Sequence, residues 1–195
     1  MATVTESPEQ SLVLVRHGES TWNALHLVQG QDDHATLTPR GRQQAADVAK
    51  TFASPDFDLI VSSDLRRAME TALVIAGVLG LNVESEPTLR ERCFGVAEGG
   101  PIEALTGDLV GINDGVVTND QVSPEGGETL RDFRARAGTF LEIRRRLWST
   151  QRLLLVTHGG TIRALQSYCA GTPIQGSRWD PVGNCSVWTV APPLD

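Results

Sequence analysis

Three short aliphatic runs constrain this chain most, because each ends abruptly in residues that carry chemistry. Leu12–Val15 runs into Arg16-His17-Gly18, Leu59–Val61 into Ser62-Ser63-Asp64, and Leu153–Val156 into Thr157-His158-Gly159-Gly160. Runs of this length, bounded by polar or glycine residues, have the pattern of strands buried on both faces. Such strands need helices on either side, and the intervening segments supply them. Thr38-Pro39 reads as an N-cap with proline at the first helical position, opening a helix over about 39–52. Leu65, Ala68, Ala72, Ile75 and Leu79 recur at helical spacing up to Gly80, which is placed to end that helix. A strand is expected near Val83, a long helix over about 129–148 and another over about 161–169. A last strand is expected near 185–190, with Val187 and Trp188 at an exposed sheet edge. The alternation predicts an α/β chain folded as a three-layer αβα sandwich with a mostly parallel central sheet.

A length of 195 residues fits one compact domain. The reading is a disordered segment over residues 1–10, then a single domain over 11–195 with an insertion at about 99–127. That insertion is rich in glycine and lacks lysine and arginine, while carrying Glu103, Asp108, Asp114, Asp120 and Glu125. It is expected to arch over the site as a lid, the common use of a long connection. A net charge of −7 leaves no basic surface for a nucleic-acid backbone. No apolar run approaches the ~20 residues that span a bilayer, and the first ten residues hold no signal-peptide core. Three widely spaced cysteines suggest neither a disulfide framework nor a zinc site. A soluble cytoplasmic protein without nucleic-acid or membrane partners is expected, and nothing in the sequence sets an oligomeric state.

In open α/β sheets, ligands gather outside the carboxyl ends of the strands. Arg16, His17, Arg67 and His158 are thereby delivered to one edge, and two arginines with two histidines describe a phosphate pocket. Helical spacing separates Arg66 from Arg67, so only one of them can point inward. His17 is a candidate nucleophile toward phosphorus, with Gly18 permitting close backbone approach. Alone, a histidine at a strand end would read as a hydrogen-bonded structural side chain; the second histidine at another strand end reverses that reading. His158 can donate to phosphoryl oxygens, with the helix-opening amides around Gly159 adding partial positive charge. Flanking arginines depress the pKa of a neighbouring imidazole, and an Nδ1–H bond to a backbone carbonyl would leave Nε2 free to attack. His17, His26, His34 and His158 raise the alternative of a metal-dependent hydrolase, with Asp32 and Asp33 clustered beside His34 and His26. No spacing matches a metal site on a regular element, and the cluster reads as a solvated loop.

Taken in order, Arg16-His17-Gly18-Glu19, Ser62–Ala72, Leu89–Gly99, Gly126-Gly127-Glu128-Thr129 and Thr157–Gly160 resemble the histidine phosphatase superfamily in its phosphoglycerate-mutase-like branch, branch 1. The resemblance extends from about Leu12 to Val190. It implies a phosphoglycerate-mutase-like fold and a phosphohistidine mechanism with no metal and no other cofactor. It makes His17 the nucleophile, Arg16, Arg67 and His158 the rest of the phosphate pocket, and Glu91 the proton donor. Glu98 matches a structural glutamate, whereas Asn23, Gln29 and Gly30 fall where relatives line the phosphate or substrate entrance. Cys93 replaces a frequent histidine, Ala97 replaces a frequent aromatic residue, and Gln29–Leu37 carries a one-residue length change. These departures bear on the substrate, not the reaction.

A phosphatase and a mutase share the phosphoenzyme and differ in what receives the phosphoryl group. A mutase needs cations above the pocket to hold its intermediate, yet the insertion offers only acids, and like charges at a few ångströms cost about 1 kcal/mol or more. The expectation is a metal-independent phosphatase acting on a small phosphorylated metabolite, a monoester whose remainder is neutral or cationic. A cofactor-dependent phosphoglycerate-type mutase and a non-catalytic phospholigand-binding module are the alternatives. Arg90 and Arg92 flank Glu91 and point away from it in an extended chain, though a twist there would bring Arg92 into the pocket.

Overall fold

Along the chain run β1 (Leu12–Arg16), α1 (Thr21–Ala24), α2 (Pro39–Ala49), β2 (Leu59–Ser62), α3 (Arg66–Leu79), β3 (Val83–Ser85) and α4 (Gly107–Val110). They are followed by β4 (Ile112–Asn113), β5 (Val116–Val117), α5 (Leu130–Ile143), α6 (Arg145–Trp148), β6 (Leu153–Thr157), α7 (Gly159–Cys169) and β7 (Val187–Val190). This computed structural model describes residues 12–52 and 56–191, so the disorder expected for residues 1–10 lies outside the described residues. The main sheet has the order β3-β2-β6-β1-β7. Its first four strands are parallel, and β7 closes one edge antiparallel to β1. A parallel strand must be covered on both faces, and alternate residues do face opposite layers. Leu14 and Leu155 join Phe133 and Phe140 in the layer of α5 and α7, whereas Val15 and Val156 join Ala68, Ala72 and Ile75 beside α3. The expected three-layer α/β architecture is the one observed.

Helix ends follow their local signals. Thr38 caps α2 by accepting the Gly41 N–H at 3.0 Å, with Pro39 at the first position. The helix stops at Ala49, three residues short of the expected end. Gly80 ends α3 in the left-handed conformation, φ 70°. The single long helix expected over 129–148 is two, broken at Arg144 (φ −102°, ψ 14°), whose guanidinium pairs with Glu86 and Glu84 near the far end of the sheet. α7 starts at Gly159 rather than Thr161, because the extended His158 already serves as its N-cap. Val187 and Trp188 are exposed on the edge strand, as expected.

The insertion contains α4 and the β4–β5 hairpin, and backbone bonds tie it down at several points. Val28 N–H donates to Gly100 O at 2.9 Å, and Trp179 N–H to Gly115 O at 2.7 Å. Arg92 is buried beneath it and donates to the carbonyls of Val110 and Val122 (2.8 Å each) and Glu128 (2.9 Å). A buried guanidinium is tolerable only when its protons are matched in this way.

The turn after β1 is set by two glycines in contact. A Cβ on Gly41 would lie 2.0 Å from Glu19 O, and one on Gly18 would lie 2.4 Å from Gly41 O. The first turn of α2 thus rests directly on the backbone that follows His17. Alanine normally stabilises a helix by up to about 1 kcal/mol over glycine. Here Gly41→Ala is expected to lower the unfolding free energy in urea by about 1–3 kcal/mol through overpacking; an increase would show that the two backbones are not locked together.

Candidate active site

The site forms where three adjacent parallel strands end. Arg16 and Thr157 are register partners at the ends of β1 and β6, and the next residue of each strand is a histidine. The His17 N–H donates to Thr157 O at 2.9 Å, and the Ser63 N–H, just past β2, donates to Val156 O at 2.9 Å. This pairing stands the imidazoles of His17 and His158 side by side, ring centroids 5.2 Å apart and inclined at 61°. Arg67 enters from the first turn of α3 with its side chain buried, whereas Arg66 is exposed, as their spacing required. Glu91 arrives from the irregular segment after β3. A cavity of about 250 Å³ opens above, lined by Arg16, His17, Arg67, Glu91 and His158 among others.

Each polar side chain is held by a specific bond. His17 Nδ1–H donates to Gly18 O at 2.7 Å; a carbonyl can only accept, so the proton is on Nδ1 and Nε2 carries the free lone pair. Arg67 donates from Nη2 to Gly30 O (2.7 Å) and from Nη1 to Asp32 O (2.9 Å), and Arg16 donates from Nη1 to Val182 O. His158 Nε2 bonds Ser63 Oγ at 2.8 Å. Glu91 accepts the Arg92 N–H on Oε1 (2.8 Å) and the Gly160 N–H on Oε2 (2.9 Å), which seats a carboxylate on the positive end of α7. Among the described residues, three buried side-chain nitrogens have no hydrogen-bond partner: Arg16 Nε, Arg67 Nε and His158 Nδ1. All three belong to the residues that line this cavity.

The electrostatics follow from burial. Desolvation holds the pKa of His17 well below the ordinary imidazole value of 6.5, with Arg67 and Arg16 pushing the same way. His158 is held down too, by desolvation first and then by Arg67, His17 and Arg16. Burial also lowers Arg67 to about 10, which leaves it protonated at neutral pH. The site is therefore two neutral imidazoles beside two permanent cations.

The remaining expected residues divide into lining and support. Asn23, Gln29, Gly30 and Gly159 all line the cavity. Asn23 Oδ1 accepts from Ser20 N and Asn184 Nδ2, and Gln29 Oε1 accepts from Ser20 Oγ at 2.7 Å. Gly30 has φ +49°, and a Cβ there would strike Glu98 Oε1 at 2.0 Å, so the turn that presents its carbonyl to Arg67 requires glycine. Glu98 accepts the N–H groups of Gln31 and Phe94, in keeping with a structural glutamate. Arg90 pairs with Asp64 at 2.6–2.7 Å, away from Glu91. Arg92 does line the cavity, but its guanidinium nitrogens are engaged by the three carbonyls beneath the insertion. His34 is exposed and bonds Asp32, and Asp33 accepts the Arg66 N–H at the start of α3, so this loop does not join His17 and His158. Among the described residues, no group of three or more His, Cys, Asp or Glu is placed to hold a metal ion.

Two features differ from expectation. None of the insertion's five carboxylates lines the cavity; Asp120 pairs with Arg131 instead, and the insertion contributes Ile102, Leu105 and Ile112 to the wall. The wall is apolar rather than acidic, so the repulsive argument for a neutral or cationic substrate has no structural basis. Several supporting residues had also gone unassigned. Glu128 accepts from Arg136 (2.7 and 2.8 Å) and from the Cys93 N–H (2.9 Å), and Arg136 donates to Glu91 O at 2.9 Å, fixing the segment that carries Glu91. Ser63 and Glu128 stood inside quoted motifs, whereas Arg136 had no sequence signal. Arg163 also lines the cavity; its signal was the four-residue spacing from Gly159, which puts both on one face of α7.

Fold and site together describe an α/β protein whose cavity gathers Arg16, Arg67, His158 and Glu91 around a histidine with its Nε2 lone pair free. The chain belongs to the histidine phosphatase superfamily, branch 1, whose family model matches residues 12–192. It is similar to the protein named "Probable phosphoglycerate mutase GpmB" of Yersinia enterocolitica, with 37% identity over 176 residues, 89% of this chain and 81% of that protein. Its counterpart in Enterobacter sp. is 36% identical over the same shares. Among solved structures, a mycobacterial glucosyl-3-phosphoglycerate phosphatase with VO3 superposes with a TM-score of 0.77 at 31% identity, over 92% of this chain and 91% of that chain. A phosphoserine phosphatase from Entamoeba histolytica, in complex with 3-phosphoglyceric acid, gives 0.78 at 30% identity, over 92% and 89%. Among the described residues, no helix is long and apolar enough to cross a membrane.

The buried imidazoles make stability depend on pH. In the unfolded chain both protonate below about 6.5, while in the folded chain they stay neutral to well below that value. The unfolded state then binds more protons, so stability is present above 6.5 and falls as pH drops through it, by about 1.4 kcal/mol per pH unit for each histidine. In anion-free buffer, His158→Gln is expected to shallow that acid-side slope by about one proton; an unchanged slope would mean that His158 titrates normally in the fold.

Proposed function

We propose that this protein is a phosphoric monoester hydrolase that works through a phosphohistidine intermediate on a small phosphorylated metabolite. The observation that carries the reading is His17: neutral, fixed with Nε2 free, and surrounded by donors that lack a protein partner. In the first step the Nε2 lone pair forms the N–P bond as the ester P–O bond breaks, and the alkoxide takes a proton from Glu91. Gly18 O holds the Nδ1 proton and so stabilises the positive charge that the ring acquires. Arg16, Arg67 and His158 bind the non-bridging oxygens; the Ser63 hydroxyl, giving its proton to His158 Nε2, leaves Nδ1–H as a donor. In the second step the Glu91 carboxylate takes a proton from water, whose oxygen bonds to phosphorus as the N–P bond breaks. Inorganic phosphate leaves and His17 is restored. Asn23, Gln29, Gly30 and Gly159 bound the substrate entrance. None of these steps calls for a metal, and three unpaired cysteines suit a reducing cytoplasm.

Water rather than a second substrate oxygen is the acceptor in this reading. A mutase has to retain a bisphosphate. Beyond the phosphate cradle and the carbonyl-bound Arg92, the cavity lining among the described residues offers Arg163 as a single cation, and the insertion's wall of Ile102, Leu105 and Ile112 adds none. The mutase names of the curated relatives favour the other outcome, so the test must separate the two. With a phosphomonoester panel that includes phosphoglycerates, in ¹⁸O-water and excess chelator, the expected result is stoichiometric release of phosphate carrying one solvent oxygen. An acid-labile phosphoryl label should form on the wild type and be absent in His17→Ala. Glu91→Gln is expected to lower kcat by about 10²- to 10⁴-fold. Interconversion of phosphoglycerates without phosphate release would establish the mutase, and tight phosphate binding without turnover would establish the binding module.

A further inference from the structure

The charge of the cavity exceeds what a phosphate group needs. Its ionisable lining consists of Arg16, Arg67, Arg92 and Arg163 against the single carboxylate of Glu91, with both imidazoles neutral. A bound phosphomonoester dianion answers two of these positive charges and leaves one if Glu91 is ionised and two if it carries the proton it gives to the leaving group. Arg16 and Arg67 form the phosphate cradle, and Arg92 is engaged by three backbone carbonyls. Arg163 is the cation left over. It stands one turn along α7 from Gly159, on the same side. Its guanidinium lies over the Trp179 ring, 5.1 Å from the centroid, and donates from Nη2 to Asp180 O. The Asp180 carboxylate pairs directly with Arg178 and acts on Arg163 only through space, so among the described residues no carboxylate occupies the Arg163 guanidinium. Trp179 is anchored by its N–H to Gly115 O in the insertion, so the stacked pair is held in place before any substrate arrives. A cation preorganised beside apolar walls attracts an anion more strongly than one in open water.

We propose that Arg163 is a specificity-determining residue that binds a second negative group on the substrate, selecting phosphomonoesters whose alcohol carries one carboxylate or an equivalent single anion. The proposal deepens the hydrolytic reading and rests on it for turnover. It reverses the preference drawn from the insertion's composition, because those carboxylates face elsewhere.

The test compares the phosphate ester of glycolic acid with that of glycolamide, on wild type, Arg163→Met and Arg163→Lys. Each variant's effect is taken within one substrate, so differences in leaving-group reactivity cancel. Arg163→Met is expected to reduce kcat/KM for the acid by about 10- to 100-fold, the worth of a charge-assisted bond, while leaving the amide nearly unchanged, and Arg163→Lys should recover part of the loss. Equal losses on both substrates would assign Arg163 a general structural role and overturn the proposal, as would no loss on either. Calorimetric binding of the matching non-hydrolysable phosphonates reads the same preference without chemistry. If no phosphomonoester turns over, the hydrolytic reading fails, and the phosphonates still decide Arg163: a loss of affinity confined to the acid supports it, and an equal loss or none refutes it.

Discussion

Arg16 Nε, Arg67 Nε and His158 Nδ1 are withdrawn from water and given nothing to bond. Leaving a buried donor unmade costs about 1–3 kcal/mol, and more where it is charged. A chain selected for stability alone would pair such groups or replace them. Much of the surrounding structure holds them where they are. The carbonyls of Gly30, Asp32 and Val182 take the other guanidinium protons, and the register of β1 with β6 sets the two histidines together. The paired glycines at 18 and 41 let α2 press against the turn after His17. In the proposed reaction, the oxygens of the phosphoryl group supply the partners that these nitrogens lack.

The same burial determines protonation. A histidine in water would meet a phosphate dianion partly protonated and would then be a poor nucleophile. Here desolvation, assisted by two guanidiniums, keeps the ring neutral, and Gly18 O settles which nitrogen is free. Glu91 is positioned by different means, through the backbone amides of Arg92 and Gly160 and, from behind, the Arg136–Glu128 pair. The proposed nucleophile and acid thus stand on separate supports, one at a strand end and one at a helix start, which allows one to be altered without collapsing the other.

Much of this was legible in the residues because it follows from periodicity and local caps. The buried strands, the Thr38-Pro39 start and the Gly80 stop all rest on rules that act over a few positions; spacing said that only one of Arg66 and Arg67 points inward, and the family resemblance selected Arg67. The helix break at Arg144 was not legible, since no glycine or proline marks it; its side chain answers to Glu84 and Glu86, distant in sequence. The insertion was misread for a related reason. Composition records how many carboxylates a loop carries but not which way they point, and outside a regular element no period supplies the direction. Arg136 carried no sequence signal and Arg163 only its spacing from Gly159, because what they meet, Glu91 O and the Trp179 ring, is contributed by other parts of the chain.

The central claim is that these orphaned donors and His17 together form one seat for a transferring phosphoryl group. A crystal structure grown at neutral pH with orthovanadate tests it most directly. The account predicts vanadium bonded to His17 Nε2, with its oxygens within hydrogen-bond distance of Arg16 Nε, Arg67 Nε and His158 Nδ1. Vanadate bound elsewhere, or a saturated crystal in which those three nitrogens still face no oxygen, would contradict it.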